Sequence, residues 1–289
     1  MKPASFTYHA PRSTEEATKL LASLDNAKVL AGGQSLVPMM NFRYVIVDHI
    51  IDLAKIEGLA GISVDKGKMR IGAMTRQRDL EFSPRVAQHC PLLREALFHV
   101  GHRQTRNRGT IGGSLAHSDP AAEQPAVCAV HDAVIEITSA RGTRRVPFAE
   151  FATAFMTTAV ESNEIITVIE IPLWPAGHGY GFHEFARRRG DFAIVGAAAL
   201  LDLARDETVR RAALALCGVA NGPLRLAATE QLLTGKRFDR AVAQAAAAAV
   251  KMVTPVSDIH ASADYRRHLA EVLVFRALRD AAARCGVRI

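Results

Sequence analysis

The sequence has 289 residues, of which 49% are hydrophobic and 22% are charged, and this balance excludes a disordered or fibrous chain. The length favours two domains over one. The net charge of +7 is spread over short groups of arginines and only 6% of the residues are aromatic, which argues against a nucleic-acid surface.

Compartment and metal chemistry are also constrained by the sequence. No apolar run reaches the roughly 18–20 residues of a membrane span, and the first residues lack the apolar core of a signal peptide. The four cysteines form no CxxC pair, so we expect buried thiols and no metal or cluster bound by this chain. We therefore expect a soluble, cytoplasmic protein.

The predicted elements of the first half mix short strands with short helices. Ser13 followed by Glu16 forms a capping box and predicts a helix of about three turns. Short apolar runs predict strands, and longer periodic runs predict helices. The strands are expected over residues 27–30, 49–53, 61–64, 69–71, 134–139, 144–147 and 165–171, and the helices over 75–81, 92–100 and 121–130.

The second half follows a stretch rich in Pro and Gly over residues 173–179, which is the most linker-like part of the chain. We place the domain boundary there, giving domains 1–176 and 177–289. Three predicted strands and then three predicted helices follow, which indicates an α+β domain and not a parallel α/β sheet. The strands are expected over 180–187, 194–203 and 209–218, and the helices over 227–233, 240–253 and 263–284.

Two pairs of adjacent glycines interrupt this pattern. We name residues 31–36 (AGGQSL) the first glycine segment and residues 110–114 (TIGGS) the second glycine segment. Adjacent glycines permit positive φ and lack Cβ, so that successive backbone N–H groups can point at one anion, such as a pyrophosphate. We expect this of both segments, and we expect Gly113→Val to abolish binding by straining the backbone. A plain turn is the alternative for each segment, and neither is a Walker A or GxGxxG motif.

The surroundings of these glycines resemble a known family. Residues 31–40 (AGGQSLVPMM) and 110–121 (TIGGSLAHSDPA) resemble the two FAD-binding signatures of molybdenum hydroxylase flavoproteins. This family includes the medium subunits of enzymes similar to carbon monoxide dehydrogenase and quinoline oxidoreductase, and the middle domain of xanthine dehydrogenase. Residues 164–172 (EIITVIEIP) and 187–195 (RRRGDFAIV) match further family stretches in the same order. The resemblance covers essentially the whole chain.

The resemblance implies an α+β fold. A PCMH-type FAD-binding domain of two α+β subdomains would precede a small C-terminal α+β domain with a three-stranded antiparallel sheet and helices. It also implies FAD as the cofactor of this chain. We expect FAD to be bound noncovalently, because the first glycine segment has Gln34 and no His or Cys nucleophile, and the second signature has only His117. The implied FAD-binding residues are Ala31, Gly32, Gly33, Gln34, Ser35, Leu36, Thr110, Ile111, Gly112, Gly113, Ser114, His117, Asp119, Ile166 and Phe192.

Three single residues carry more specific expectations. Asp119 would accept hydrogen bonds from ribityl or ribose hydroxyls, although Asp before Pro is also a common helix N-cap. Phe192 would approach the isoalloxazine ring, with a place in the core as the alternative. His183 stands near a position where some relatives carry Lys, and we expect it to be structural.

The function implied by the resemblance is electron transfer. A large partner subunit would hydroxylate the substrate at a molybdenum cofactor, and a small partner subunit would pass electrons through two [2Fe–2S] clusters. FAD on this chain would then deliver them to NAD, oxygen or a carrier. The implied assembly is a dimer of such heterotrimers, and no catalytic acid or base is expected on this chain.

The alternatives differ in substrate or in class. Gln34, Ser114 and His117 resemble the hydroxylases of N-heteroaromatic compounds more than the carbon monoxide enzymes, whose medium subunit is the first alternative. A stand-alone FAD oxidase of the vanillyl-alcohol oxidase class is disfavoured, because too few residues follow the boundary for a large substrate domain. A FAD-binding module without enzymatic function is the third alternative.

Overall fold

A computed structural model describes all residues from 1 to 289. The chain forms a three-stranded sheet and a five-stranded sheet in its first part and a four-stranded sheet in its second part, with one additional two-stranded ribbon. No helix combines the length and the apolar character needed to cross a bilayer. The α+β fold class expected from the sequence is confirmed.

The first subdomain is built on a small parallel sheet. Its elements are β1 (Thr7–His9), α1 (Thr14–Ser23), β2 (Ala27–Leu30), α2 (Leu36–Asn41) and β3 (His49–Asp52). The strand order is β1-β3-β2, and both pairs are parallel. The capping box is confirmed, because Ser13 Oγ accepts a hydrogen bond from the Glu16 amide at 3.1 Å. A 3-10 turn over Leu53–Lys55 leads to the next subdomain.

The second subdomain is built on a five-stranded antiparallel sheet. Its strands are β4 (Ile62–Asp65), β5 (Lys68–Gly72), β6 (Val134–Ser139), β7 (Gly142–Pro147) and β10 (Ile165–Pro172), and β8 (Ala152–Ala154) and β9 (Thr157–Thr158) form the separate ribbon. The strand order is β4-β5-β10-β6-β7, so the last strand along the chain, β10, lies at the centre and closes the subdomain. The helices are α3 (Gln77–Phe82), α4 (Pro84–His89), α5 (Pro91–Leu97), α6 (Arg103–Arg108), α7 (Ile111–His117), α8 (Glu123–Val130) and α9 (Phe148–Phe151).

The C-terminal part is an antiparallel sheet covered by helices. Its elements are β11 (Gly179–Phe185), β12 (Val195–Leu203), β13 (Val209–Cys217), β14 (Leu224–Arg225), α10 (Ala227–Leu233), α11 (Arg240–Ala249), a 3-10 turn (Val250–Met252) and α12 (Ala263–Arg284). The expected three-stranded sheet has a fourth strand, β14, which is too short to leave a pattern in the sequence. His183 donates a hydrogen bond from Nε2 to the Asp280 carboxylate of α12 at 2.7 Å, in agreement with a structural role.

The sheet of the C-terminal part is buried on both faces. Ala198 and Leu200 of β12 belong to a core shared with the first part of the chain, whereas Ala197 and Ala199 belong to a core formed with α12. Alternate residues of a strand point to opposite faces, so this strand appears in the sequence as one continuous apolar run. One face of this sheet therefore packs against the first part of the chain, and the other face packs against the C-terminal helices.

Candidate functional site

The two glycine segments, distant in sequence, lie against each other. A Cβ built on Gly32 would come within 2.7 Å of Gly109 Cα, and one built on Gly113 would lie 3.5 Å from Ala31 Cβ. Because the obstacle to a side chain at Gly32 is rigid backbone, glycine is required there for close approach. The fold therefore brings together the two segments that the sequence singled out.

The first glycine segment has unused hydrogen-bond donors. It links β2 to α2, and Gly33 has a φ of +72°. The backbone amides of Gly32, Gly33, Gln34 and Ser35 donate to no acceptor in the chain. The Gln34 side chain is exposed and donates to the Gly32 carbonyl at 3.2 Å. Four consecutive free N–H groups beside a positive-φ glycine fit the phosphate oxygens of a dinucleotide.

The second glycine segment forms the N-terminal end of α7, and its amides from residue 111 to residue 114 already donate to acceptors of the chain. Thr110 is the N-cap of this helix, and neither Gly112 nor Gly113 has a positive φ. The expectation of positive φ at Gly113 was wrong, because the cap of Thr110 stabilises helical backbone across the glycine pair. Four backbone amides donate hydrogen bonds here: Ile111 to Thr75 O (3.2 Å), Gly112 to Ala73 O (2.9 Å), Gly113 to Thr110 Oγ1 (3.0 Å) and Ser114 to Thr110 O (3.1 Å).

Glycine at position 112 is explained by packing. A Cβ there would lie 2.6 Å from Ala73 Cβ and 2.7 Å from the Ala73 carbonyl oxygen. Ala73 in turn donates to the Thr167 carbonyl at 2.9 Å, which ties the helix to β10. Ile166, next to Thr167, is buried in the hydrophobic core behind the second segment.

The remaining expected site residues occupy different environments. Leu36 begins α2 and His117 ends α7, and both are half-buried. Asp119 Oδ1 accepts from the Ala121 amide at 2.8 Å, so its carboxylate also stabilises the turn before α8. Phe192 is 71% exposed between β11 and β12, so the alternative that places it in the core is wrong.

A pair of buried carboxyl groups lies between the two parts of the chain. Glu123 begins α8 and Glu184 lies in β11, and Glu184 Oε2 is buried without a hydrogen-bond partner. Burial and the proximity of the two acids raise the pKa of Glu184, and burial together with nearby Asp119 raises the pKa of Glu123. The pair therefore holds a proton that two separate carboxylates would release. Sequence analysis missed it, because the contact joins distant segments.

Arg76 is a further residue of the site region that sequence analysis missed. Its backbone forms an isolated antiparallel bridge with Thr110, and its guanidinium donates to the Arg108 carbonyl. It is half-buried between the two glycine segments. The pairing of residue 76 with residue 110 has no signature in the sequence.

Two family models match the chain in succession. Residues 4–174 match the FAD binding domain in molybdopterin dehydrogenase, and residues 180–281 match the C-terminal domain of carbon monoxide dehydrogenase flavoprotein. Together these two matches account for nearly the whole chain.

Individual relatives are similar over nearly their full length. The chain is 40% identical to the 6-hydroxypseudooxynicotine dehydrogenase complex subunit alpha of Paenarthrobacter nicotinovorans, over 97% of this chain and 96% of that protein. A solved structure of carbon monoxide dehydrogenase from Hydrogenophaga pseudoflava superposes with a TM-score of 0.95 at 41% identity, over 99% of this chain and 100% of the other. Quinoline 2-oxidoreductase from Pseudomonas putida 86 superposes with a TM-score of 0.94 at 38% identity, with the same coverage.

These matches confirm the family resemblance expected from the sequence. This chain belongs to the family of FAD-binding medium subunits of molybdenum hydroxylases.

Proposed function

We propose that the first glycine segment binds the pyrophosphate of FAD and that this chain carries electrons within a molybdenum hydroxylase complex. The observation that supports this most strongly is the run of four backbone amides, from Gly32 to Ser35, without an acceptor in the chain. When bound, FAD supplies the redox chemistry, and the protein supplies binding and orientation.

The two glycine segments have different tasks in this proposal. The amides of residues 32–35 donate to phosphate oxygens, whereas residues 110–114 shape the site by supporting the first segment from behind. Leu36, His117 and Asp119 complete the binding site, and Ile166 packs in the hydrophobic core behind them. The exposed ring of Phe192 is available to cover the flavin. No side chain of the chain needs to act as an acid or a base.

The same proposal includes the domain division and the partners. We place the boundary between domains 1–176 and 177–289, supported by family matches that end at 174 and resume at 180.

The partners are a large subunit with the molybdenum cofactor and a small subunit with two [2Fe–2S] clusters, in a dimer of heterotrimers. One relative is named as a complex subunit, which supports such an assembly. All four cysteines are free thiols, which supports a cytoplasmic location.

The proposed substrate of the complex is an N-heteroaromatic compound. The relatives named for 6-hydroxypseudooxynicotine and quinoline support it, at 40% and 38% identity. Carbon monoxide is the second candidate, supported by 41% identity to a carbon monoxide dehydrogenase structure. Dye reduction by the purified native complex, with N-heteroaromatic compounds and with carbon monoxide, distinguishes the two.

The electron-transfer function is tested on the full-length chain expressed alone. We expect it to bind FAD and to oxidise neither N-heteroaromatic compounds nor carbon monoxide. Acid precipitation should release all the flavin into the supernatant, because no covalent bond holds it. Substrate turnover by the metal-free chain would contradict the proposal, and so would flavin fluorescence on the denatured protein band.

A further inference from the structure

Arg76 lies at the junction of the two glycine segments. Its backbone pairs with Thr110, and the neighbouring Gln77 amide donates to the Gly109 carbonyl at 2.8 Å. Residues 75–77 therefore run antiparallel along the start of the second glycine segment, and the Arg76 side chain reaches the Arg108 carbonyl from there.

The same carbonyl oxygen is the closest neighbour of Gly32. A Cβ built on Gly32 would meet Arg108 O before any other atom. The guanidinium of Arg76 and the backbone of Gly32 thus converge on one atom. Gly32 is also the first of the four residues whose amides have no acceptor. The guanidinium consequently lies beside the free amides of the first glycine segment.

The positive charge of Arg76 is not neutralised. Its only side-chain hydrogen bond goes to a backbone carbonyl. Burial and the neighbouring Arg108 lower the pKa of Arg76, and Asp79 and Asp52 oppose this only at a distance. A half-buried cation next to a second cation is unfavourable unless an anion joins them.

We propose that Arg76 is a phosphate-binding residue of this site, and that it donates from its remaining guanidinium N–H groups to the FAD pyrophosphate. The inference rests on the proposed function of the first glycine segment. A guanidinium has five N–H donors, of which the Arg108 carbonyl takes one, so a forked pair remains for phosphate oxygens. Backbone amides recognise the same group without a full charge. Arg76 therefore contributes the salt-sensitive part of FAD affinity.

The experiment measures the dissociation constant of FAD by flavin fluorescence quenching on the full-length chain. The variants are Arg76→Gln, Arg76→Lys and the matched control Arg205→Gln, which removes the same charge from an exposed turn between β12 and β13. Each is measured at about 50 mM and about 500 mM salt, because screening weakens interactions between charges. ADP serves as a second probe, since it has the pyrophosphate without the flavin.

At low salt we expect Arg76→Gln to weaken FAD binding by about 10- to 100-fold, the range for a lost charge-assisted hydrogen bond. At high salt the difference should shrink. Arg76→Lys should fall between the wild type and Arg76→Gln, because it keeps the charge and loses the fork. The dissociation constant of ADP, obtained by competition with FAD, should rise by a similar factor in Arg76→Gln because ADP carries the same pyrophosphate, and Arg205→Gln should behave like the wild type.

Wild-type FAD affinity and salt dependence in folded Arg76→Gln would overturn the inference, and so would an equal loss in Arg205→Gln. If circular dichroism shows that Arg76→Gln is unfolded, Arg76→Lys decides: weaker binding than the wild type supports the inference, and equal binding overturns it. A wild-type chain that binds no FAD would instead contradict the proposed function.

Discussion

The two glycine segments contain the same dipeptide and are used in opposite ways. In the first, the amides of residues 32–35 have no acceptor, and Gly33 takes a positive φ of +72°. In the second, every amide from 111 to 114 already donates to an oxygen of the chain, and the backbone is helical. One segment is free to receive a ligand, and the other is part of the scaffold.

This difference shows that a glycine pair in a sequence indicates that another group comes close to the backbone there. The pair does not indicate whether that group belongs to the chain or to a ligand. At Gly112 the neighbour is Ala73 of the chain itself. At residues 32–35 the free donors indicate a neighbour outside the chain. Substitutions in the first segment should therefore act on FAD, and substitutions in the second segment should act on stability.

The largest effect is expected from Gly33→Val. A β-branched residue at positive φ costs about 1–3 kcal/mol, and here its side chain would also meet Val37 and Leu30, whose nearest atoms lie 3.1 and 3.3 Å from the built Cβ. The amides can then no longer converge, and FAD affinity should fall by about 100-fold or more. FAD content per chain measures this, with circular dichroism as the folding control.

Gly235→Val is the matched control for this substitution. Gly235 has a φ of +79° and nothing within 4 Å of a built Cβ, far along the chain from the glycine segments. It should show similar backbone strain and keep its FAD. Equal loss of FAD in both variants would mean that strain alone, without the free amides, explains the effect.

The second effect in size is expected from Gly112→Val, and it should be on stability. Its Cβ would collide with the Ala73 backbone, so α7 must shift, at a cost of about 1–3 kcal/mol. Thermal unfolding of the apoprotein should show the loss, while the folded fraction keeps FAD. Selective loss of FAD from a chain of wild-type stability would make the two segments equivalent and break the comparison.

The sequence predicts most of the fold because the relevant signals are local. The helix over 263–284 was predicted with its observed bounds, and its cap Ser262 stands next to it. The helix over 111–117 was missed, because two glycines conceal the helical signal and Thr110 alone indicates the cap. The free amides and Arg76 could not be predicted, since both depend on which distant backbone groups pair.

The pair of Glu123 and Glu184 should make the stability of the protein depend on pH, which is the third effect in size. The pKa of Glu184 is raised in the folded protein, so the folded state keeps a proton that the unfolded state releases above the ordinary value of 4.5. Stability is therefore greatest below that value and is lost as the pH rises through the folded pKa. For each pH unit between about 5.5 and 8.5, the wild type should lose about 1 kcal/mol of unfolding free energy, because one retained proton changes stability by at most about 1.4 kcal/mol per unit.

Glu184→Gln should flatten this pH dependence, because the amide stays neutral and leaves Glu123 with no charged neighbour in β11. Arg106 and Asp119 also face Glu123 and remain in the variant. FAD affinity of the folded protein should change less with pH than stability does, since the amides of residues 32–35 do not titrate. An unchanged pH slope in the variant would show that the pair is ionised in the folded state.

The smallest effect is expected from Thr110→Ala, and it separates the two segments most finely. Removing an N-cap hydroxyl costs about 1 kcal/mol, and it leaves the Gly113 amide without the acceptor that now lies at 3.0 Å. Thr110→Ser should restore the cap. If the second segment is only scaffold, FAD should raise the melting temperature of Thr110→Ala and of the wild type by the same amount. A larger rise in Thr110→Ala would mean that the released Gly113 amide binds phosphate, so the second segment would be a binding loop closed by its own threonine.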